Sequence, residues 1–330
     1  MSAALYPCLV ADIGGTNARF GWVAGPREGI QHVRVLPVNE HASPAAAARA
    51  YLAQLQPMLG AGYKAPRRAA MALATAVAGD QIELTNAHWS FSRTRTQFDL
   101  GLDVLLALND FEALALSLPR LTAAQLRPWP GTLATTEPDG VLAVIGPGTG
   151  LGVGAVVRTR QGWVALPGEG GHATLAAADD FESDVLTFVR REHAHVSAER
   201  LLSGIGLPTL HRAVAAVLGT APAGLNTEAI VEHGLSGADA VCSRTLDAFC
   251  ALLGGFAGSV ALTLGARGGV YIGGGIVPRL GERFFNSRFR ERFEAKGRFQ
   301  PYLADIPTAL ITDTLAALSG AALAIEQHVG

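Results

Sequence analysis

Cysteine is scarce in this chain of 330 residues: Cys8, Cys242 and Cys250 are the only three, an odd number with no Cys-x-x-Cys spacing. A complete disulfide framework is excluded, and a reducing compartment is expected. Excess charge is also missing. With 26 Lys and Arg against 28 Asp and Glu, the net charge of −2 leaves no cationic field for a nucleic-acid backbone or an anionic membrane. Neither partner is expected, and a small neutral or nucleotide ligand fits better. No repeat of solenoid length occurs, nor does a Walker-type phosphate loop ending in Gly-Lys-Ser/Thr. No basic region precedes the apolar run in MSAALYPCLVADIGG, so no signal peptide is read and a cytoplasmic location is expected.

Apolar side chains are plentiful, at 49% against 16% charged, enough to fill large interiors. A single core stops growing at roughly 250–300 residues, so two domains are expected. The uncharged stretch from Ala248 to Ala266 approaches the roughly 20 residues of a membrane span. Gly254, Gly255, Gly258 and Gly265, with Ser259 and Thr263, weaken its apolar character, and a closely packed core helix is expected instead.

Branched apolar runs alternate with helical stretches, which predicts an α/β architecture. Strands are predicted at 9–13, 19–24, 69–77, 104–108, 141–145, 153–158, 163–166 and 269–272. Helices are predicted at 44–59, 111–118, 180–192, 198–203, 227–232, 238–264 and 314–328. The Pro-, Thr- and Gly-rich stretch from Leu118 to Val141 reads as a surface connection near a domain junction.

Three glycine clusters each follow a strand. In LVADIGGTNARFGWV, Asp12 lies inside an apolar strand, where a buried carboxylate needs a compensating partner such as a metal ion or a hydrogen-bond donor. Gly14 and Gly15 permit a tight turn, and Thr16 and Asn17 offer polar groups. This is either a phosphate-facing turn or an ordinary hairpin with an Asp at its edge. In VIGPGTGLGVGAVV, Gly150, Gly152 and Ala155 satisfy a relaxed dinucleotide fingerprint, with Glu169 where a ribose-binding acid is sought. That fingerprint must open a helix, whereas a branched strand follows here. In GGVYIGGGIVPRL, Gly273, Gly274 and Gly275 either let a flat ligand approach the backbone or make room for a helix. Asn109 and Asp110 end an apolar strand and precede a helix, so Asp110 is either an N-cap or a catalytic carboxylate. Glu199 sits beside Ser197, read as a helix cap, and has helix-dipole stabilisation as its structural alternative.

The order of these motifs resembles the actin, hexokinase and heat-shock ATPase superfamily. More closely, TNAHWSFS, LNDFEALALSLP, GPGTGLG, LPGEGGHATLA, HVSAERLLSG, GGIVPR and KGRFQPYLADIPT are similar to bacterial glucokinase over nearly the whole chain. The resemblance implies two actin-like (ribonuclease H-like) α/β domains with a cleft between them, the small one 1–118 plus 311–330 and the large one 119–310. It implies transfer of the γ-phosphoryl group of ATP to the 6-hydroxyl of glucose, with Asp110 as general base. Asn109, Glu169, His172 and Glu199 would hold the sugar. ATP would lie on Asp12, Gly14, Gly15, Thr16, Asn17, on Gly148, Thr149, Gly150, and on Gly273, Gly274 and Gly275, with Mg²⁺ held through water near Asp12. The resemblance leaves room for a homodimer. A kinase for another hexose, a non-catalytic sugar- or nucleotide-binding protein and a nicotinamide-dependent oxidoreductase are the alternatives. Relatives in the wider sugar-kinase and repressor group carry a Cys-rich zinc motif after the Glu and His, but no cysteine lies between Cys8 and Cys242, so that zinc site is not expected.

Overall fold

The first strand, β1 (Cys8–Ile13), is apolar almost throughout because both of its faces are covered. Its alternate residues Leu9, Ala11 and Ile13 join one core cluster, with Ala47, Ala48, Tyr51 and Leu55. Cys8 and Val10 join another, with Leu318, Ala321, Ala322 and Ile325. The computed structural model describes residues 6–26, 28–85, 87–132 and 140–328. Asn86 of the TNAHWSFS motif and residues 133–139 of the expected connection lie outside them.

The chain divides into two units. The first comprises Met1–Leu121, Arg158–Pro167 and Thr314–Gly330. Its elements are β1, β2 (Asn17–Val23), β3 (Gln31–Pro37), α1 (Pro44–Leu59), β4 (Arg68–Leu73), β5 (Gln81–Glu83), β6 (Ser90–Ser92), α2 (Arg93–Asp99), β7 (Val104–Asn109) and α3 (Asp110–Ser117). A C-terminal helix, Ala316–His328, completes it. The sheet order is β3-β2-β1-β4-β7, antiparallel from β3 to β1 and parallel from β1 to β7. Ser43 caps α1 by accepting from Ala46 N at 3.1 Å, with Pro44 in the first turn, where its missing N–H costs nothing.

The second unit is Thr122–Val157 with Gly168–Asp313. It holds β8 (Leu126–Pro128), β9 (Leu142–Pro147) and most of β10 (Leu151–Thr159), which runs on toward β11 (Gly162–Leu166) in the segment grouped with the first unit. Then follow α4 (Asp180–Val189), α5 (Leu207–Val217), α6 (Thr227–Ser236), α7 (Ala240–Leu264), β12 (Gly269–Ile272), α8 (Ile276–Leu280), α9 (Glu282–Phe285), α10 (Phe289–Glu294), α11 (Gln300–Ala304) and β13 (Thr308–Ile311). Here too an antiparallel hairpin, β9–β10, stands beside parallel strands, β12 and then β13, so this six-stranded sheet, β11-β10-β9-β12-β13-β8, repeats the order of the first and adds β8 antiparallel at its edge.

All but the last two residues of the uncharged stretch lie in α7, a core helix with 72% of its most apolar window buried. Its glycines admit α10: a Cβ on Gly254 would sit 2.1 Å from Phe289 O, and one on Gly258 would sit 2.3 Å from Phe293 O. The helix predicted at 198–203 is instead a series of tight turns, with α5 following at Leu207.

The C-terminal helix packs on α3 with little room to spare. A Cβ on Gly320 would lie 1.7 Å from Ala113 O, so Gly320→Ala must push the two helices apart. Overpacking of this kind costs roughly 1–3 kcal/mol, and an expected loss at the upper end is read by urea denaturation. Unchanged stability would show that the helices part without penalty.

Candidate functional site

In the first unit the predicted residues emerge at one edge of the sheet. Parallel register sets Ile13 opposite Leu73 and Leu73 opposite Asn109, so the chain leaves β1, β4 and β7 at the same level. Hydrogen bonds knit the exits: Ala74 N donates to Ile13 O at 3.0 Å, and Asn109 Nδ2 donates to Thr75 O at 3.1 Å. Carboxyl ends of parallel strands are where α/β sheets bind ligands.

Asp12 has the partner its burial requires. It faces Arg19 across the β1–β2 hairpin, and Arg19 Nη1 donates to its Oδ2 at 3.1 Å. Burial pushes the Asp12 carboxyl above the ordinary carboxylate value, and the guanidinium pulls it back. The side chain keeps 21% exposure, so one carboxylate remains within reach of solvent. One carboxylate of that kind, holding a cation that keeps most of its waters, is how Mg²⁺ is usually bound, and Asp12 fits that use. Gly14 N donates to Asn17 O at 2.9 Å to close the turn, and Thr16 and Asn17 lie exposed at its tip.

At the end of β7 the two readings of Asp110 separate. The N-cap of α3 is Asn109, whose Oδ1 accepts from Phe111 N at 2.9 Å and Glu112 N at 3.3 Å. Glu112 reaches back to Asn109 N, completing a capping box. Asp110 is the first helical residue, and its Oδ1 also accepts from Phe111 N, at 2.9 Å.

In the second unit, β9 and β12 run parallel with Ile145 opposite Ile272, and both glycine turns leave from that end. Gly273 N donates to Ile145 O at 2.8 Å. Gly274 has φ +76°, and a Cβ there would lie 2.3 Å from Pro147 O, so only glycine lets the two turns touch. The dinucleotide fingerprint fails here, because a strand rather than a helix begins at Leu151.

Glu199 ties the remaining residues to the Gly148–Gly150 turn. Its Oε2 accepts from Leu151 N at 2.9 Å, its own N donates to Gly171 O at 2.9 Å, and its Oε1 lies 4.0 Å from His172 Nε2. Gly204 N donates to Gly148 O at 2.8 Å, and Ile205 N donates to Thr149 O at 3.2 Å. Ser197 does cap a turn, accepting from Arg200 N at 3.2 Å, but no helix follows, and a dipole does not explain Glu199. Glu169 and His172 are exposed around the short turn Gly170–His172. His172, Ser197, Glu199, Arg200, Ile205 and Gly206 line a cavity of about 140 Å³.

A larger cavity, about 280 Å³, lies between residues 173–178 and Leu252, Phe256 and Val260 of α7. None of the predicted ligand residues lines it. Its walls are mainly carbon, which would leave hydroxyl-rich ligands unpaired.

Thus Asp12, Gly14, Gly15, Thr16, Asn17, Asn109 and Asp110 gather on the first unit, and Gly148–Gly150, Glu169, His172, Glu199 and Gly273–Gly275 on the second. The sequence motifs do not single out Arg19 or Ile205. Arg19 was within reach of the sequence, since a short turn between 13 and 18 sets 12 opposite 19; for Ile205, 64% exposed, no pattern gives a signal.

A family model described as Glucokinase matches residues 9–328. A glucokinase of Chromobacterium violaceum is 49% identical over 98% of this chain and 90% of its own length. The crystal structure of a glucokinase from an Antarctic psychrotroph is 38% identical, covers 97% of this chain and 98% of its own, and superposes with a TM-score of 0.89. A ROK family glucokinase from Streptomyces griseus, solved with glucose and AMPPNP, shares 20% identity and the fold, with a TM-score of 0.61 over 98% of this chain and all of its own.

Proposed function

Since the chain belongs to the glucokinase family and phosphorylates glucose from ATP, we propose that Asp110 is the general base of the transfer. The observation that supports this is the capping of α3 by Asn109 and Glu112: a carboxylate at 110 is not what starts the helix. Asp110 takes the proton of the glucose 6-hydroxyl as that oxygen bonds to the γ-phosphorus. The bond from γ-phosphorus to the β,γ-bridging oxygen breaks, ADP leaves with that electron pair, and the proton passes on to solvent.

Around this step the residues divide by chemistry. Glu199 and Glu169 accept from sugar hydroxyls, and the exposed imidazole of His172 donates to one. Asn109 gives one amide hydrogen to Thr75 O and offers the second to the sugar. Thr16 and Thr149, exposed at the tips of their turns, donate hydroxyls to phosphate oxygens, and the glycines beside them let phosphate approach backbone N–H groups. Gly273–Gly275 make room for adenosine. Mg²⁺, held through water by Asp12, would neutralise phosphate charge when bound.

A coupled assay with ATP and a panel of hexoses tests the sugar assignment. Glucose is expected to outpace fructose widely, because polar groups built for particular hydroxyls go unpaired when one is moved. Equal turnover of the two would overturn the roles given to Glu169, His172 and Glu199.

A further inference from the structure

His211 is a buried histidine without a bonding partner among the described residues. It sits on α5 at 1% exposure, and neither ring nitrogen has a hydrogen-bond partner among them. An imidazole always carries at least one N–H, and leaving such a donor buried and unmatched is costly. Its neighbours come from the start of α7. Asp239 is the helix N-cap, accepting from Cys242 N at 2.8 Å, and Cys242 is buried in the first turn. One donor atom from each of His211, Asp239 and Cys242 lies within 4.8 Å of the other two.

We propose that His211, Asp239 and Cys242 bind a single zinc ion. Imidazole nitrogen, carboxylate oxygen and thiolate sulfur form a borderline-soft set that suits Zn²⁺ and does not suit Mg²⁺. Zinc bonds of about 2.0–2.3 Å set ligand atoms roughly 3.3–3.8 Å apart, so the three side chains, within 4.8 Å of one another, need to close by at most roughly 1–1.5 Å. A water takes the fourth position, on the side of the partly exposed Asp239. Burial lowers the His211 pKa and the Asp239 charge opposes this; zinc takes the neutral ring. Burial also pushes the Cys242 thiol up to about 11. The S–H bond therefore breaks as the zinc–sulfur bond forms, its proton goes to solvent, and no oxidation state changes. The bound ion would pin α5 to the beginning of α7. This site does not depend on the phosphotransfer roles.

EDTA-stripped, dialysed enzyme is titrated with Co²⁺, then with Zn²⁺. The expected result is one Co²⁺ per chain with thiolate-to-cobalt charge-transfer absorption, displaced by Zn²⁺, untouched by Mg²⁺, and a melting temperature raised by Zn²⁺. Cys242→Ser is expected to abolish the band and weaken Zn²⁺ binding at least about a hundredfold, beyond the 10–100-fold typical of outer-shell changes. Cys250→Ser, in the same helix, is expected to keep it. His211→Leu is expected to lose the zinc response yet melt no lower than the metal-free wild type, because an apolar side chain replaces an unmatched polar one. No band in the wild type, a band surviving in Cys242→Ser, or a full zinc response in His211→Leu would each overturn the proposal. If Cys242→Ser does not fold, His211→Leu decides.

Discussion

Asp110→Asn is expected to lower turnover at least about a hundredfold, the low end of what a positioned general base contributes. Glucose binding, followed by calorimetric titration, should persist. An amide at 110 still accepts from Phe111 N, and the cap on Asn109 is untouched, so stability should change by no more than about 0.5 kcal/mol. The opposite pattern, near-normal turnover with a lower melting temperature, would return Asp110 to a helix-starting role.

The second large effect is expected at Glu199, where two substitutions separate two duties. Glu199→Gln keeps an oxygen for Leu151 N but replaces the charged acceptor proposed for the sugar with an amide. Hydrogen bonds to charged groups contribute about 1.5–3 kcal/mol, so the KM for glucose should rise roughly 10–150-fold while the KM for ATP stays within about twofold. Glu199→Ala also leaves Leu151 N without its acceptor and frees the Gly148–Gly150 turn, so both KM values should rise. If Gln and Ala behave alike toward ATP, the Leu151 hydrogen bond does not hold the turn.

How far the fold can be read from the sequence depends on how locally each element is determined. β12 is read residue for residue because glycines bound a short, fully buried apolar run. β1 is legible for a similar reason, both faces being covered. β3 and β8 are not, since edge strands with half-exposed or very short patterns carry no clear alternation. α5 escapes because Pro208 reads as a break, although a proline in the first turn is compatible with a helix. The segment around Glu199 shows the reverse error. Its Ser197-to-Gly204 pattern looks like a capped helix, but Gly206 is needed where a Cβ would lie 2.6 Å from Arg200 O, the signature of a tighter turn. The glycine turns that position the site follow strands, and that order is visible in sequence. The bond from Glu199 to Leu151, spanning 48 positions, and the meeting of His211 with Asp239 and Cys242 are not, because tertiary packing alone creates them.

The C-terminal helix belongs to the first unit, although most of that unit precedes Thr122. It covers the Cys8 and Val10 face of β1 and the Ala70 face of β4, packs Gly320 on α3 and grips the β11 hairpin through Gln327, whose Oε1 accepts from Trp163 N at 2.6 Å and whose Nε2 donates to Trp163 O at 2.8 Å. On the ribosome, about 190 residues separate Leu121 from Thr314, so at roughly 5–20 residues per second this face waits about 10–40 s for its cover. Over that interval the nascent chain exposes an apolar sheet face. The residues of the second unit all emerge before the helix does, so the first unit is the last to be completed, and molecular chaperones would be needed longest at the amino-terminal end.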